Sequence, residues 1–231
     1  MLQLKRQQDI LSLLGEHKSM TVKELCAVLY ASPATIRRDL AEMERAGLLR
    51  RSFGGAVLTE SYPDQMPLAV RASDRITEKK RICAKAAQYV QPGETIFIDA
   101  SSTTYFLIPH LRDIPELTVI TNNPSVNIAL AQQNIRGFCT GGEMLNGSVA
   151  LVGSEAERFV RGVHAHTIFF SARGLCDGVI SDSSAAERNV KIAMLEHATR
   201  RYFLCDTSKC GHLYPYLITK TDDVDAVVDD T

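Results

Sequence analysis

The 231-residue chain has no C-x-x-C pair, no apolar run long enough to cross a membrane and no strong net charge. Each absence excludes something. Six cysteines, at 26, 83, 139, 176, 205 and 210, follow no regular framework and read as free thiols in a reducing compartment. The most metal-like group is Cys205, Cys210 and His212, whose spacing fits no usual zinc pattern; His164 and His166 fit none either, so neither metal nor cofactor is expected. The opening MLQLKRQQDI lacks the apolar core of a targeting segment, and the expected location is the cytoplasm. The formal net charge of −1 hides an asymmetry: residues 1–55 hold nine Lys/Arg against six Asp/Glu, and residues 56–231 hold seventeen against twenty-one. A basic front suits a domain that meets a polyanion.

Helical spacing fills that front. Leu4, Ile10, Leu11, Leu13 and Leu14 line one side of a first helix, with Gly15 where it is expected to close. Thr21 and Glu24 form a capping box for a second helix, whose buried stripe is Val22, Leu25 and Leu29. Ser32 is placed to cap a third helix and Pro33 to occupy its first position, where a missing N–H costs nothing. Ile36, Leu40 and Met43 then face the core, which turns Thr35, Arg37, Arg38 and Glu42 outward. Two helices, a tight turn and a third helix bearing hydroxyl and cationic side chains make a helix-turn-helix, whose second helix enters the DNA major groove. After Gly47, LLRRSFGGAVL reads as two short strands around Gly54 and Gly55, a wing carrying Arg50 and Arg51. The candidate DNA-binding residues are therefore Ser32, Thr35, Arg37, Arg38, Arg50 and Arg51.

The segment TIRRDLAEMERAGLLRRSFGGAV resembles the DNA-binding signature of the DeoR family of bacterial transcriptional regulators. In that family a Thr-Ile-Arg-Arg-Asp-Leu recognition helix runs into an Arg-Arg, Gly-Gly wing. The expected architecture is α/β: a winged helix-turn-helix domain at 1–57, a proline-containing linker at 58–76 and a larger, mainly parallel α/β domain at 77–231.

In that larger domain the helix TEKKRICAKAAQYV, with Ile82, Ala86 and Tyr89 on one side, precedes short apolar strands that each lead into a small polar loop. These are TIFIDASSTT, LTVITNNPS, GFCTGGE, HTIFFSARG and YFLCDTSK. Helical stretches separate several of them, which implies a mainly parallel sheet covered on both faces, with ligands at the strand C-terminal ends. Those ends carry Asp99, Ser101, Ser102, Thr103 and Thr104; Thr121, Asn122 and Asn123; Gly141 and Gly142; Arg173; and Asp206, Ser208 and Lys209. Hydroxyls and free N–H groups there can cradle a phosphate, Arg173 and Lys209 can supply countercharge, and Asp99 or Asp206 can accept from sugar hydroxyls. A phosphorylated polyol fits this mixture better than an apolar ligand does.

IFIDASSTT, VITNNPS, TGGE, ALVGSEAE, VKIAMLEHA and DTSK also resemble the DeoR-type effector domain. The resemblance implies a fold like that of ribose-5-phosphate isomerase, sensing of a phosphorylated sugar or sugar derivative, repression of sugar-metabolism genes relieved by that ligand, and a homo-oligomer, dimeric or tetrameric, on double-stranded operator DNA. Two positions depart from the family pattern: Ser101 stands where many members have glycine, and Arg173 where many have an acidic residue. Two rival readings use the same residues. An isomerase-like enzyme would draw its acid and base from Asp99, Asp182, Glu187, Asp206 and Lys209, although Arg173 sits where a carboxylate is wanted and arginine is no base at neutral pH. Alternatively, the large domain of a DNA-binding protein only oligomerises.

Overall fold

The computed structural model describes residues 3–17, 19–45, 49–52, 54–57, 74–145 and 148–231, and the chain divides into two compact units, Met1–Asp74 and Arg75–Thr231. Gly47, residues 58–73 of the expected linker and the side chain of Leu4 lie outside the described residues.

In the first unit, α1 (Gln3–His17) runs through Gly15 and closes two residues later than expected. It is followed by β1 (Ser19–Thr21), α2 (Val22–Leu29), α3 (Pro33–Arg45), β2 (Arg50–Ser52) and β3 (Gly55–Val57). Both arms of the Thr21–Glu24 capping box form. Ile10, Leu11 and Leu14 of α1 meet Leu25 and Leu29 of α2 and Ile36, Leu40 and Met43 of α3 in one core, closed by Leu49 and Ala56. The two wing strands pair antiparallel, Arg51 opposite Ala56. β1, unforeseen in the sequence, adds a third strand against β3. Gly55 allows it, because a Cβ there would lie 2.3 Å from the Met20 carbonyl oxygen.

The second unit begins with α4 (Ile76–Ala87), β4 (Thr95–Ile98), a 3-10 helix (Thr104–His110), β5 (Thr118–Thr121), α5 (Pro124–Gln132) and β6 (Arg136–Cys139). Next come β7 (Glu143–Met144), β8 (Leu151–Val152), α6 (Ser154–Arg161), β9 (Ala165–Phe170), β10 (Gly174–Cys176) and β11 (Val179–Asp182). α7 (Ala185–Glu196), β12 (Ala198–Cys205), a 3-10 turn (Thr207–Lys209), β13 (Tyr216–Lys220) and β14 (Ala226–Asp229) complete it. Six strands form one parallel sheet in the order β14-β12-β9-β4-β5-β6.

Alternate residues on the strands feed opposite cores, as the period of two requires. Ile96, Ile98, Val119, Phe169 and Leu204 pack under α4 and α5, while Phe97, Ile120, Ile168, Phe170 and Phe203 pack under α6 and α7. The sheet is thus covered on both faces, as a parallel sheet must be. Three features differ from expectation. α4 ends at Ala87, so Tyr89 lies past it and stacks on Tyr202 at 4.3 Å. The chain after β4 winds into a 3-10 helix that the sequence reading did not mark, with Pro109 inside it. A second, antiparallel sheet of order β10-β11-β13 and the β7-β8 pair flank the main sheet.

Candidate DNA interface and effector site

The Ser32 hydroxyl accepts from the Thr35 N–H at 3.2 Å and shares a 2.9 Å hydrogen bond with the Thr35 hydroxyl, fixing the start of α3. With Ile36, Leu40 and Met43 buried, Arg37 and Arg38 are exposed and Thr35 half-exposed. Asp39, next in the Arg-Arg-Asp run, points the other way. It is 1% exposed, and Arg6 of α1 donates to both of its oxygens, at 2.5 and 3.2 Å. The signature Asp is thus a brace for the recognition helix. The Arg51 N–H donates to Glu44 of α3 at 2.8 Å, which ties the wing to that helix, and Arg50 and Arg51 are themselves exposed. The sequence reading missed Tyr30. It closes α2 in the left-handed conformation (φ 51°) with 95% of its surface exposed, in the turn before α3. Its only signal was its place in that turn.

In the second unit the loops after three adjacent strands meet. Lys209, after β12, donates its ammonium to Thr103, after β4, at 3.1 Å and to Ser171, after β9, at 2.5 Å. Ser101 and Ser102 are buried beside Thr103 in the same loop. Asp99 organises this loop: it accepts from the Ser101 N–H, the Thr104 hydroxyl and the Ser171 N–H, and lies 3.5 Å from the Lys191 ammonium. Asp206 likewise caps its own turn, accepting from Ser208 and lying 3.4 Å from Lys209. Burial would push the Asp206 carboxyl up, yet Lys209 and the Ser208 hydroxyl outweigh it and hold it below the ordinary range.

The other expected residues line up farther along the same edge. Thr121 ends β5 and Asn122 follows it, pinned to Leu151 of β8 through its backbone and its amide nitrogen. Its Oδ1 is buried with no protein donor, the condition of an atom awaiting water or a ligand. Gly141 and Gly142 follow β6 with φ of 69° and 110°. A Cβ on Gly142 would come within 2.5 Å of the Val152 carbonyl oxygen, so this glycine serves close packing. Arg173, half-buried, donates its N–H to the Ser181 carbonyl at 3.1 Å and its charge lowers the Asp182 carboxyl.

Beneath the loops lies a charged network that was not foreseen as such. Lys191 of α7, 4% exposed, bonds Asp182 at 2.6 Å, and Glu187 one turn earlier accepts from Ser148 at 2.5 Å. Burial alone would lower the Lys191 pKa; Asp182, then Asp99 and Glu187, reverse that and raise it. Lys191 shares a side of α7 with Met194 and Glu187, but nothing within the helix marks its charge as buried. Among the described residues, no group of three or more His, Cys, Asp and Glu could hold a metal ion.

A winged helix-turn-helix with exposed arginines, joined in one chain to a parallel α/β domain with a cationic, hydroxyl-rich strand edge, defines a ligand-responsive DNA-binding regulator. The chain belongs to the DeoR family: the DeoR-like helix-turn-helix domain matches residues 6–62 and the DeoR C terminal sensor domain matches residues 74–231. It is 32% identical to the HTH-type transcriptional regulator GolR of Listeria innocua, over 100% of this chain and 91% of that one. It is also 32% identical to the lactose phosphotransferase system repressor of Staphylococcus epidermidis, over 89% of this chain and 83% of the relative. In fold it is similar to eIF2B delta from Chaetomium thermophilum, with a TM-score of 0.52 at 14% identity over 71% of this chain and 61% of that one. The chain is therefore a transcriptional regulator and not an enzyme.

Proposed function

We propose that this regulator represses sugar-metabolism genes and leaves its operator when a phosphorylated sugar occupies the strand edge of its sensor domain. The observation that carries the reading is the junction of three strand ends at Lys209, Thr103 and Ser171. An ammonium among hydroxyls is suited to a phosphate group. Asn122 Oδ1 is an acceptor for a sugar hydroxyl, and Ser102, Thr121, Gly141 and Arg173 line the remainder of the edge. Asp99 and Asp206, engaged by protein donors, position the loops in this reading and do not take the sugar directly. The lactose-system name of one relative supports the sugar class.

In the same reading residues 1–57 bind DNA, 58–76 link and 77–231 sense and oligomerise, so that two or more recognition helices meet spaced half-sites in the cytoplasm. Release requires that the DNA-bound arrangement bind the effector less well than the free one; by linkage the same factor weakens DNA binding. The test is fluorescence anisotropy of the protein on its own upstream DNA, titrated with phosphorylated and unphosphorylated sugars. Release by a phosphorylated sugar and not by its free counterpart is expected. DNA binding indifferent to every sugar phosphate overturns the sensing half of the reading.

A further inference from the structure

Two thiols flank the turn that carries Lys209. Cys205 ends β12 and Cys210 closes the 3-10 turn, with Asp206–Lys209 between them. Their side chains are hydrogen-bonded to one another, and the Lys209 ammonium acts on the Cys205 thiol. Cys205 is 2% exposed in the core under α6 and α7, whereas Cys210 faces solvent. The pair therefore has the makeup of a redox site: one sulfur that an oxidant can reach and a second already in contact with it. Cys83, also buried, packs in the core on the opposite face of the sheet and donates to the Thr103 carbonyl at 3.1 Å.

We propose that Cys205 and Cys210 are a reversible dithiol–disulfide pair whose oxidation by a peroxide displaces Lys209 and weakens anion binding at its ammonium. The Cys210 thiolate attacks one oxygen of hydrogen peroxide, the O–O bond breaks, and the departing hydroxide takes up the thiol proton as water. Cys210 is then a sulfenic acid. The Cys205 sulfur attacks the Cys210 sulfur, the S–O bond breaks, and the second hydroxide leaves with the Cys205 proton. Two thiols have lost two electrons and the peroxide is reduced to two waters; a small dithiol reverses the bond by exchange. A disulfide holds its sulfurs about 2.05 Å apart, well inside hydrogen-bond contact, so one side of the turn must move. Cys205 is fixed in β12, which β9 and β14 pair on both sides. Cys210 is held by its N–H to the Thr207 carbonyl at 3.2 Å and by a single bridge to Leu175. The movement therefore falls on Cys210 and on Lys209 beside it. The disulfide stands apart from the sugar-phosphate reading, whereas its effect on binding rests on that reading.

The reduced full chain is treated with hydrogen peroxide, its remaining thiols are blocked with iodoacetamide, and tryptic peptides are analysed by mass spectrometry. Cleavage after Lys209 parts the two cysteines, so their bond appears as residues 202–209 joined to residues 210–220. That pair is expected, and dithiothreitol should separate it. Cys205→Ala should stop at a Cys210 sulfenic acid that dimedone traps, and Cys210→Ser should form no bond. Inorganic phosphate, titrated by calorimetry, is the binding probe: oxidation should weaken it roughly tenfold, reduction should restore it, and Cys210→Ser should ignore the peroxide. Cys210 joined instead to Cys176, or to its counterpart in a second copy, overturns the pair. A joined pair that leaves phosphate affinity within about threefold overturns the effect on Lys209. No phosphate binding by the reduced protein overturns the reading and that effect together, while the joined peptides still decide the pair.

Discussion

Lys191→Met removes one cation from between two buried carboxylates and keeps the length and apolar stem of the side chain. In the native protein the ammonium is 2.6 Å from Asp182 and 3.5 Å from Asp99, and all three residues are at most 4% exposed. Taking one partner from a buried ion pair strands the other without solvent, at a cost of about 3–5 kcal/mol. For a domain of this size that is a fall in Tm of roughly 6–20 °C. The pH dependence gives the sharper check. In the native protein Asp182 is held below its ordinary pKa despite burial, chiefly by Lys191, so its contribution to stability is present above the unfolded value near 4 and is lost as pH falls. Without Lys191, burial raises the Asp182 pKa, and the penalty disappears once the carboxyl protonates. The deficit should be largest at pH 7–8 and shrink toward pH 4, and Asp182→Asn in the same background should recover part of it at neutral pH. Scanning calorimetry of the full chain at pH 5 and pH 8 measures this, following the transition of the sensor domain. A loss below about 1 kcal/mol at pH 8, or a deficit independent of pH, refutes the assignment of Lys191 as the ion that permits these carboxylates to be buried.

Arg38→Ala should cost about 1–3 kcal/mol of specific operator affinity and relax the preference among operator variants, as expected of a side chain reading a base. Competition binding with base-substituted operators is the check, and an unchanged preference removes that role. Arg51 lies 4.0 Å from Glu44 in an exposed pair too weak to hold it from DNA. Arg51→Ala should therefore weaken binding to all sequences alike and flatten the log affinity against log salt slope by about one unit. Asp39→Ala removes the buried carboxylate that accepts from Arg6 and should destabilise the helix-turn-helix unit by about 3 kcal/mol, read from urea melts; a change below about 1 kcal/mol would mean that the pair contributes little to that unit. Burial pushes the Cys83 and Cys205 thiols up to about 12, while Cys210 is exposed. Iodoacetamide at pH 8 should accordingly modify Cys210 and leave Cys83 and Cys205 intact in the native protein; comparable labelling of Cys83 by mass spectrometry would show that α4 opens readily.

Helical periodicity reached the first unit because its interactions are local. The Ile36, Leu40 and Met43 stripe, the Ser32 cap and the Thr21–Glu24 box each involve residues within seven positions, and each follows from geometry that any helix shares. The parallel sheet was legible for a related reason: apolar strands buried on both faces and separated by helices leave few alternatives. The small antiparallel sheet was not, since β13 pairs with β11 some thirty-five residues earlier and neither strand exceeds five residues. Charge was read correctly where it faces water and missed where it does not. Lys79 within TEKKR looks like one member of a solvated run, and Glu187 and Lys191 look like an ordinary surface pair spaced four apart. Both lysines are instead buried, and the partners of Lys191 come from outside its helix: Asp182 at the end of β11 and Asp99 after β4. A lysine enters a core only where the fold supplies the countercharge, and a pattern within one helix cannot report a carboxylate that another element brings to it. The strand-end loops bring Thr103, Ser171 and Asp206 to Lys209 and place Asp99 beside Lys191. In the reading proposed above the buried charges adjoin the effector site, since Asp99 lies 3.5 Å from Lys191 and also accepts from the N–H of Ser171, whose hydroxyl meets Lys209, so that an anion bound at Lys209 would act on the same network.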